Sequence, residues 1–125
     1  DDGGLQNNKT KPVAVSTGRN CTVLQNGVPV TGLSATRPNW TSTYTLVVPA
    51  GASNLVFAMS GGTGDADLYV RFGSAPTQLR FDCRPYTSGN NETCTFAAPS
   101  AGTYYVRMRA YATFSGVTLL PSYTP

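Results

Sequence analysis

Gly61-Gly62-Thr63-Gly64-Asp65-Ala66-Asp67-Leu68-Tyr69-Val70-Arg71-Phe72 is the stretch on which the reading of this chain turns. Its first four residues include three glycines. Glycine reaches left-handed backbone conformations without steric cost, so the chain turns here. From Asp65 onward the pattern alternates. Ala66, Leu68, Val70 and Phe72 fall on one side; Asp65, Asp67, Tyr69 and Arg71 fall on the other. A period of two over eight residues predicts a half-buried strand, apolar face inward and polar face outward.

Further strands of the same kind lie on either side. Leu55, Phe57 and Met59 mark the preceding one. Trp40 to Val48 forms another, with Tyr44, Leu46 and Val48 on one face and Pro49-Ala50-Gly51 ending it. Asn26-Gly27 is a turn signal, followed by a short apolar segment from Val28 to Leu33. Downstream, Gly73 to Thr77 reads as a turn, Leu79 to Cys83 as a strand and Pro85 to Glu92 as a loop. Thr93 to Ala97, Thr103 to Tyr111 and Val117 to Leu120 read as the remaining strands. No segment carries a helical period. Turns recur every eight to twelve residues or so, which predicts an all-β antiparallel sandwich of the jelly-roll kind. Residues 1–17 lack sustained periodicity and read as a linker with a short strand at Val13 to Val15, so something is expected upstream. Residues 18–125 are the size of one domain.

Charged residues make up 12% of the chain, about half the usual share. The net charge of +3 is spread along the sequence, which argues against dedicated nucleic-acid binding. No apolar run is long enough to span a membrane. No signal peptide is present, so a secreted protein would be represented here by a mature or excised piece. Cys83 and Cys94 flank a polar, glycine-containing loop and read as a disulfide closing it, which places the protein in an oxidising compartment. The alternative is two buried thiols in a cytosolic protein. Cys21 then has no partner; it is either a buried thiol or paired outside this chain. The Asn-x-Thr sequons at Asn8, Asn20, Asn39 and Asn91 follow from an Asn- and Thr-rich composition.

Six motifs fall in order along the chain: Asn26-Gly27-Val28-Pro29-Val30, Val48-Pro49-Ala50-Gly51, Gly64-Asp65-Ala66-Asp67-Leu68-Tyr69-Val70, the Cys83 to Cys94 loop with Gly89-Asn90-Asn91-Glu92, Ala101-Gly102-Thr103-Tyr104-Tyr105-Val106 and Phe114-Ser115-Gly116-Val117. Together they resemble a bacterial pre-peptidase C-terminal domain over roughly Leu24 to Tyr123. The resemblance implies a jelly-roll-like β-sandwich at the C-terminus of a secreted metallo- or serine peptidase. It implies no catalysis, frequent removal during maturation, and kinship with the collagen-binding domains of collagenases.

The residues themselves argue the same way on catalysis. There is no histidine to act as general base. Lys9 and Lys11 lie in the linker. Asp65 and Asp67 share one strand face, too close together to flank a sugar ring. That pair is better suited to calcium, which takes carboxylate and carbonyl oxygens, and calcium is the one candidate cofactor. The competing reading has Asp65 capping the glycine turn and Asp67 paired with an arginine. The strand from Thr103 to Tyr111 is the candidate binding surface. Tyr104, Val106, Met108 and Ala110 form its apolar face, with Tyr105, Arg107, Arg109 and Tyr111 opposite. Tyr69 and Arg71 extend that surface on the neighbouring strand. Tyrosine and arginine anchor many interfaces, because both combine flat area with polar tips. The other reading covers the tyrosines with a loop and pairs the arginines with Asp67 and Asp82. Two functions follow. The domain, a monomer, either tethers an upstream peptidase of the same precursor to an insoluble protein or polysaccharide such as collagen, or serves secretion and maturation and is then removed.

Overall fold

A computed structural model of the chain describes residues 21–85 and 87–125. The linker over residues 1–17, its short strand and the domain start near Gly18 lie outside the described residues. Seven strands follow one another: β1 (Cys21–Val23), β2 (Val30–Ala35), β3 (Thr43–Val48), β4 (Ser53–Ser60), β5 (Thr63–Phe72), β6 (Glu92–Phe96) and β7 (Gly102–Thr124).

β7 organises the two layers. Its first half pairs antiparallel with β3, from Val48 opposite Gly102 to Tyr44 opposite Val106. On its other side it pairs with β5, from Phe72 opposite Tyr104 to Ala66 opposite Ala110. Its second half pairs with β2 and β4, and β4 carries β6 on its outer side. β1 lies parallel on β3, which makes the first sheet mixed. The sequence predicts two strands, Thr103 to Tyr111 and Val117 to Leu120; the structure joins them into one of 23 residues. The polar stretch around Ser115-Gly116 looks like a turn but is a corner. Register shifts cluster there as β7 leaves one sheet for the other. A bulge bends a strand and raises its twist without ending it. The start of β5 presses against this corner, and a side chain at Gly64 would collide with the carbonyl of Thr113.

The inner faces of the two sheets meet in one core. Leu46, Val48, Leu68, Val70, Val106 and Met108 come from the first sheet, and Leu55, Phe57, Met59, Val117 and Leu119 from the second. The rings of Phe57 and Tyr104 face each other across it with centroids 6.3 Å apart. The predicted apolar face of β7 is the buried one: Tyr104, Val106, Met108 and Ala110 are all buried. Cys83 and Cys94 form the predicted disulfide. It fastens β6, in the second sheet, to the segment crossing β5, in the first. Closing a loop of 11 residues in sequence separation stabilises the fold by about 3 kcal/mol through loss of unfolded-state entropy.

Three further sequence expectations change. Leu79 to Cys83 is not a strand. Leu79 is 88% exposed, and the segment's ladder pairing with β5 is a single bridge from Cys83 to Val70, beside which Asp82 and Phe81 contact Phe72 and Tyr69. Its residues cross over β5 instead of extending the sheet. For that reason β5 is not half-buried: Ala66 through Val70 are buried on both faces. β3 begins at Thr43 rather than Trp40, whose backbone pairing is an isolated bridge to Arg109.

Candidate binding groove beside the disulfide loop

The row of tyrosines and arginines predicted on the outer face of the first sheet is broken in the middle. Tyr69 is fully buried, against the expectation that it belongs to a binding surface. Its ring lies 4.7 Å from that of Trp40 and 5.7 Å from that of Phe81, with the Arg84 guanidinium 5.0 Å away. The crossing segment and Trp40 form a small second layer over the sheet, and Tyr69 is its core. Arg107 belongs to the same layer. Its guanidinium stacks 4.4 Å from the Trp40 ring and donates through Nη1 to the Pro76 carbonyl at 3.3 Å. Burial lowers its pKa from the ordinary arginine value. Arg71 reaches the Ala75 carbonyl at 3.4 Å. Arg109 is half-buried opposite Asp67.

The two ends of the row remain open. Tyr105 lies half-buried between Thr45 and Arg71 in register, near Val47, which is 61% exposed. Tyr111, at the other end, is 62% exposed. Six residues of strand separate them, about 20 Å.

Tyr111 occupies a special backbone position. Ala66 pairs with Ala110 and Asp65 pairs with Ala112, so Tyr111 is the extra residue of a β-bulge. Bulges re-aim side chains that a regular strand would point elsewhere. The backbone is pinned there: Arg37 Nε donates to the Tyr111 carbonyl at 3.0 Å, and the Arg37 N–H donates to Thr113 Oγ1 at 3.0 Å. Tyr111 stands over a cavity of about 240 Å³ lined by Asp65, Asp67, Arg84, Thr87 and Ser88. A second cavity, of about 330 Å³, shares Ser88 and is lined by Gly61, Gly62, Gly64 and Asn91 among others.

Three carboxyl groups meet at the floor of this region. Asp65, Asp67 and Glu92 each offer an oxygen within 4.8 Å of the others. Glu92 is 2% exposed. Its Oε1 accepts from the Leu68 N–H at 2.8 Å, and its Oε2 accepts from Thr87 Oγ1 at 3.3 Å. Burial pushes its carboxyl up to about 7, against the pull of those hydrogen bonds. Asp67 is also raised, first by burial and then by the Asp65 charge, while Arg84 at 3.6 Å pulls it back. Asp65 Oδ1 is buried without a hydrogen-bond partner. The glycine turn is held by Asn90 rather than by Asp65: Asn90 Oδ1 accepts from the Ala66 N–H at 2.8 Å, and its Nδ2 donates to the carbonyls of Gly61 and Thr63.

A calcium ion needs six to eight oxygen ligands. In this trio Asp67 faces Arg84 and both oxygens of Glu92 accept hydrogen bonds. Asp65 Oδ1 is the carboxylate oxygen left buried and unbonded. The sequence puts Asp65 and Asp67 beside the turn and offers an arginine as partner for Asp67, which in the structure is Arg84, but it points to neither Glu92 nor Asn90 as their neighbours. Glu92 is 24 residues from Leu68, whose N–H it holds, and no local spacing signals that contact.

The family model described as the bacterial pre-peptidase C-terminal domain matches residues 41–110. The chain belongs to that family. An extracellular protease of Xanthomonas campestris pv. campestris is 60% identical over 100 residues, covering 80% of this chain but 17% of that protein. The solution structure of vEP C-ter 100 is 43% identical with a TM-score of 0.68, covering 82% of this chain and 99% of that one. The pre-peptidase C-terminal domain of a collagenase from Bacillus anthracis has the same fold at 17% identity and a TM-score of 0.61, covering 83% of this chain and 94% of that one. A pre-peptidase C-terminal domain is an accessory domain of proteases and not their catalytic part.

Proposed function

We propose that this domain is carried by a secreted peptidase and tethers it to an insoluble polymer, either a protein such as collagen or a polysaccharide. The observation that carries the reading is Tyr111. A large aromatic ring, 62% exposed, stands on a pinned bulge at the mouth of a polar cavity. Core packing does not require that arrangement, whereas a surface that grips a fibre does. Such a ring offers rigid contact area at low entropic cost. The extracellular relative supports secretion. A tether acts by raising the local concentration of enzyme on its substrate, with no new catalytic group.

The competing role, in secretion or maturation, needs no ligand-gripping surface. Co-sedimentation of the 125-residue chain with collagen fibres, chitin and cellulose separates the two. The tether reading expects saturable retention on at least one of them, and retention on none contradicts it.

A further inference from the structure

Where β5 and β6 end and β7 begins, the two sheets leave a slot of about 390 Å³ between them. Tyr111 is about 20 Å or more away along β7. Three aromatic rings line the slot, Phe72 and Tyr104 from the first sheet and Phe96 from the second. Tyr104 is buried and forms the floor; its centroid lies 4.9 Å from that of Phe72 and 5.5 Å from that of Phe96. Its hydroxyl donates to the Ser100 carbonyl at 3.2 Å. Phe72 is 40% exposed and rests on Gly102, where an added Cβ would meet the ring at 2.8 Å.

Asp82 is exposed and lines the same slot. Its Oδ2 accepts from the Phe72 N–H at 2.6 Å, which fixes the carboxylate beside the rings. Burial raises the Tyr104 pKa, and the nearby Asp82 charge adds to the rise against the pull of the Ser100 bond. The next residue, Cys83, is bridged to Cys94 on β6, so the carboxylate and the Phe96 wall are fastened together. Among the described residues no cation pairs with Asp82: Arg71 and Arg107 donate to the carbonyls of Ala75 and Pro76 instead.

Aromatic faces attract a cation, and a carboxylate gives it a charged partner. A neutral apolar side chain would fill the slot but strip water from Asp82 without replacing it. Oδ2 is already engaged, so Asp82 does not present the two free oxygens that a guanidinium fork uses, whereas a compact ammonium needs one. We propose that this slot takes a lysine side chain of a protein partner, its apolar stem against Phe72, Phe96 and Tyr104 and its ammonium against Asp82 Oδ1. Long cationic side chains lay their stems along apolar surface in this way. The inference rests on the tether reading for its use and chooses within it: the polymer is a protein that displays lysines, which neutral polysaccharides lack.

The test titrates the isotope-labelled 125-residue chain with a capped tripeptide carrying a central lysine, and with matched peptides carrying arginine, norleucine or glutamate. The Phe72 amide, bonded to Asp82, is the reporter. The expected result is a saturable shift with the lysine peptide, binding weaker by about fivefold or more with arginine, and no shift with norleucine or glutamate. Asp82→Asn, which keeps an acceptor for the Phe72 N–H, weakens lysine binding by about tenfold or more. Phe72→Leu, which keeps bulk but loses the ring face, weakens it by about fivefold. Leu79→Ala, exposed and outside the slot, binds like the parent. Asp82→Asn melts near the parent, and with the peptide series it decides the outcome even if Phe72→Leu melts early. Norleucine that binds as well as lysine, arginine that binds more tightly, or lysine binding untouched by Asp82→Asn overturns the assignment. Co-sedimentation with native and lysine-acetylated collagen fibres, chitin and cellulose separates this from the tether reading. Retention on collagen that acetylation lowers supports both. Equal retention on the two collagens, or retention on a polysaccharide alone, overturns the lysine contact while the tether stands. Retention on no polymer overturns the tether, and the peptide titration then decides the slot.

Discussion

Replacing Glu92 with glutamine tests how the carboxyl trio is neutralised. Glutamine keeps the acceptor for the Leu68 N–H and the contact with Thr87 but cannot ionise. In the parent, the folded-state pKa is raised from 4.5 to about 7, so between those values the folded state holds a proton that the unfolded chain has released. Stability is therefore fully present below about pH 4.5 and lost as pH rises through about 7. Worked at about 1.4 kcal/mol for each pKa unit, the loss between pH 4 and pH 8 is about 3 kcal/mol. Glu92→Gln escapes that loss, and comparing the two proteins cancels the groups they share. Urea denaturation at pH 4 and pH 8 reads the effect directly. The two proteins should match at pH 4, and the variant should be the more stable by about 3 kcal/mol at pH 8. Parallel pH profiles would show that the buried proton is not there. The same experiment with and without a chelator covers the calcium reading. If the chelator destabilises the parent at pH 8 and the variant is weaker than the parent in calcium, a cation neutralises the trio and the reasoning fails.

Three further substitutions probe the framework. Tyr69→Ala should cost about 3–5 kcal/mol in chemical denaturation, as removal of a buried aromatic does, because the residue fills the layer between Trp40 and Phe81. Replacing both Cys83 and Cys94 with serine should cost about 3 kcal/mol, read as a shift in urea midpoint; an unchanged midpoint would mean that the bridge constrains nothing. Gly64→Ala should fail to fold or melt far below the parent, since φ is +87° and the added methyl meets the Thr113 carbonyl.

What was legible in the sequence depended on the range of the interactions. The alternation in Leu55 to Met59, in Ala66 to Val70 and in Tyr104 to Ala110 named the core faces, because burial of alternate residues is a local property of a strand. The Cys83–Cys94 bridge was readable because both cysteines close one loop. The covering of Tyr69 was not. It comes from Trp40 and Phe81, which are distant in sequence, and a polar-looking face carries no sign that another segment crosses it. The same holds for Glu92, whose charge looks like that of any loop acid until the strand order brings it against Leu68. On the sequence Tyr111 reads as a regular strand residue, and its real distinction, the bulge, depends on the register of a partner strand. β1 escaped notice because three residues cannot show a period.

The central claim is that the domain localises a peptidase on an insoluble substrate. The most direct measurement compares the peptidase precursor carrying this domain with the same precursor lacking residues 21–125, each on a soluble peptide and on the insoluble polymer that retains the isolated chain. The account predicts equal kcat/KM on the peptide and a rate on the polymer lowered about tenfold or more without the domain, as loss of an intramolecular tether does. Equal rates on the polymer, or a deletion whose only effect is less mature enzyme outside the cell, would contradict it.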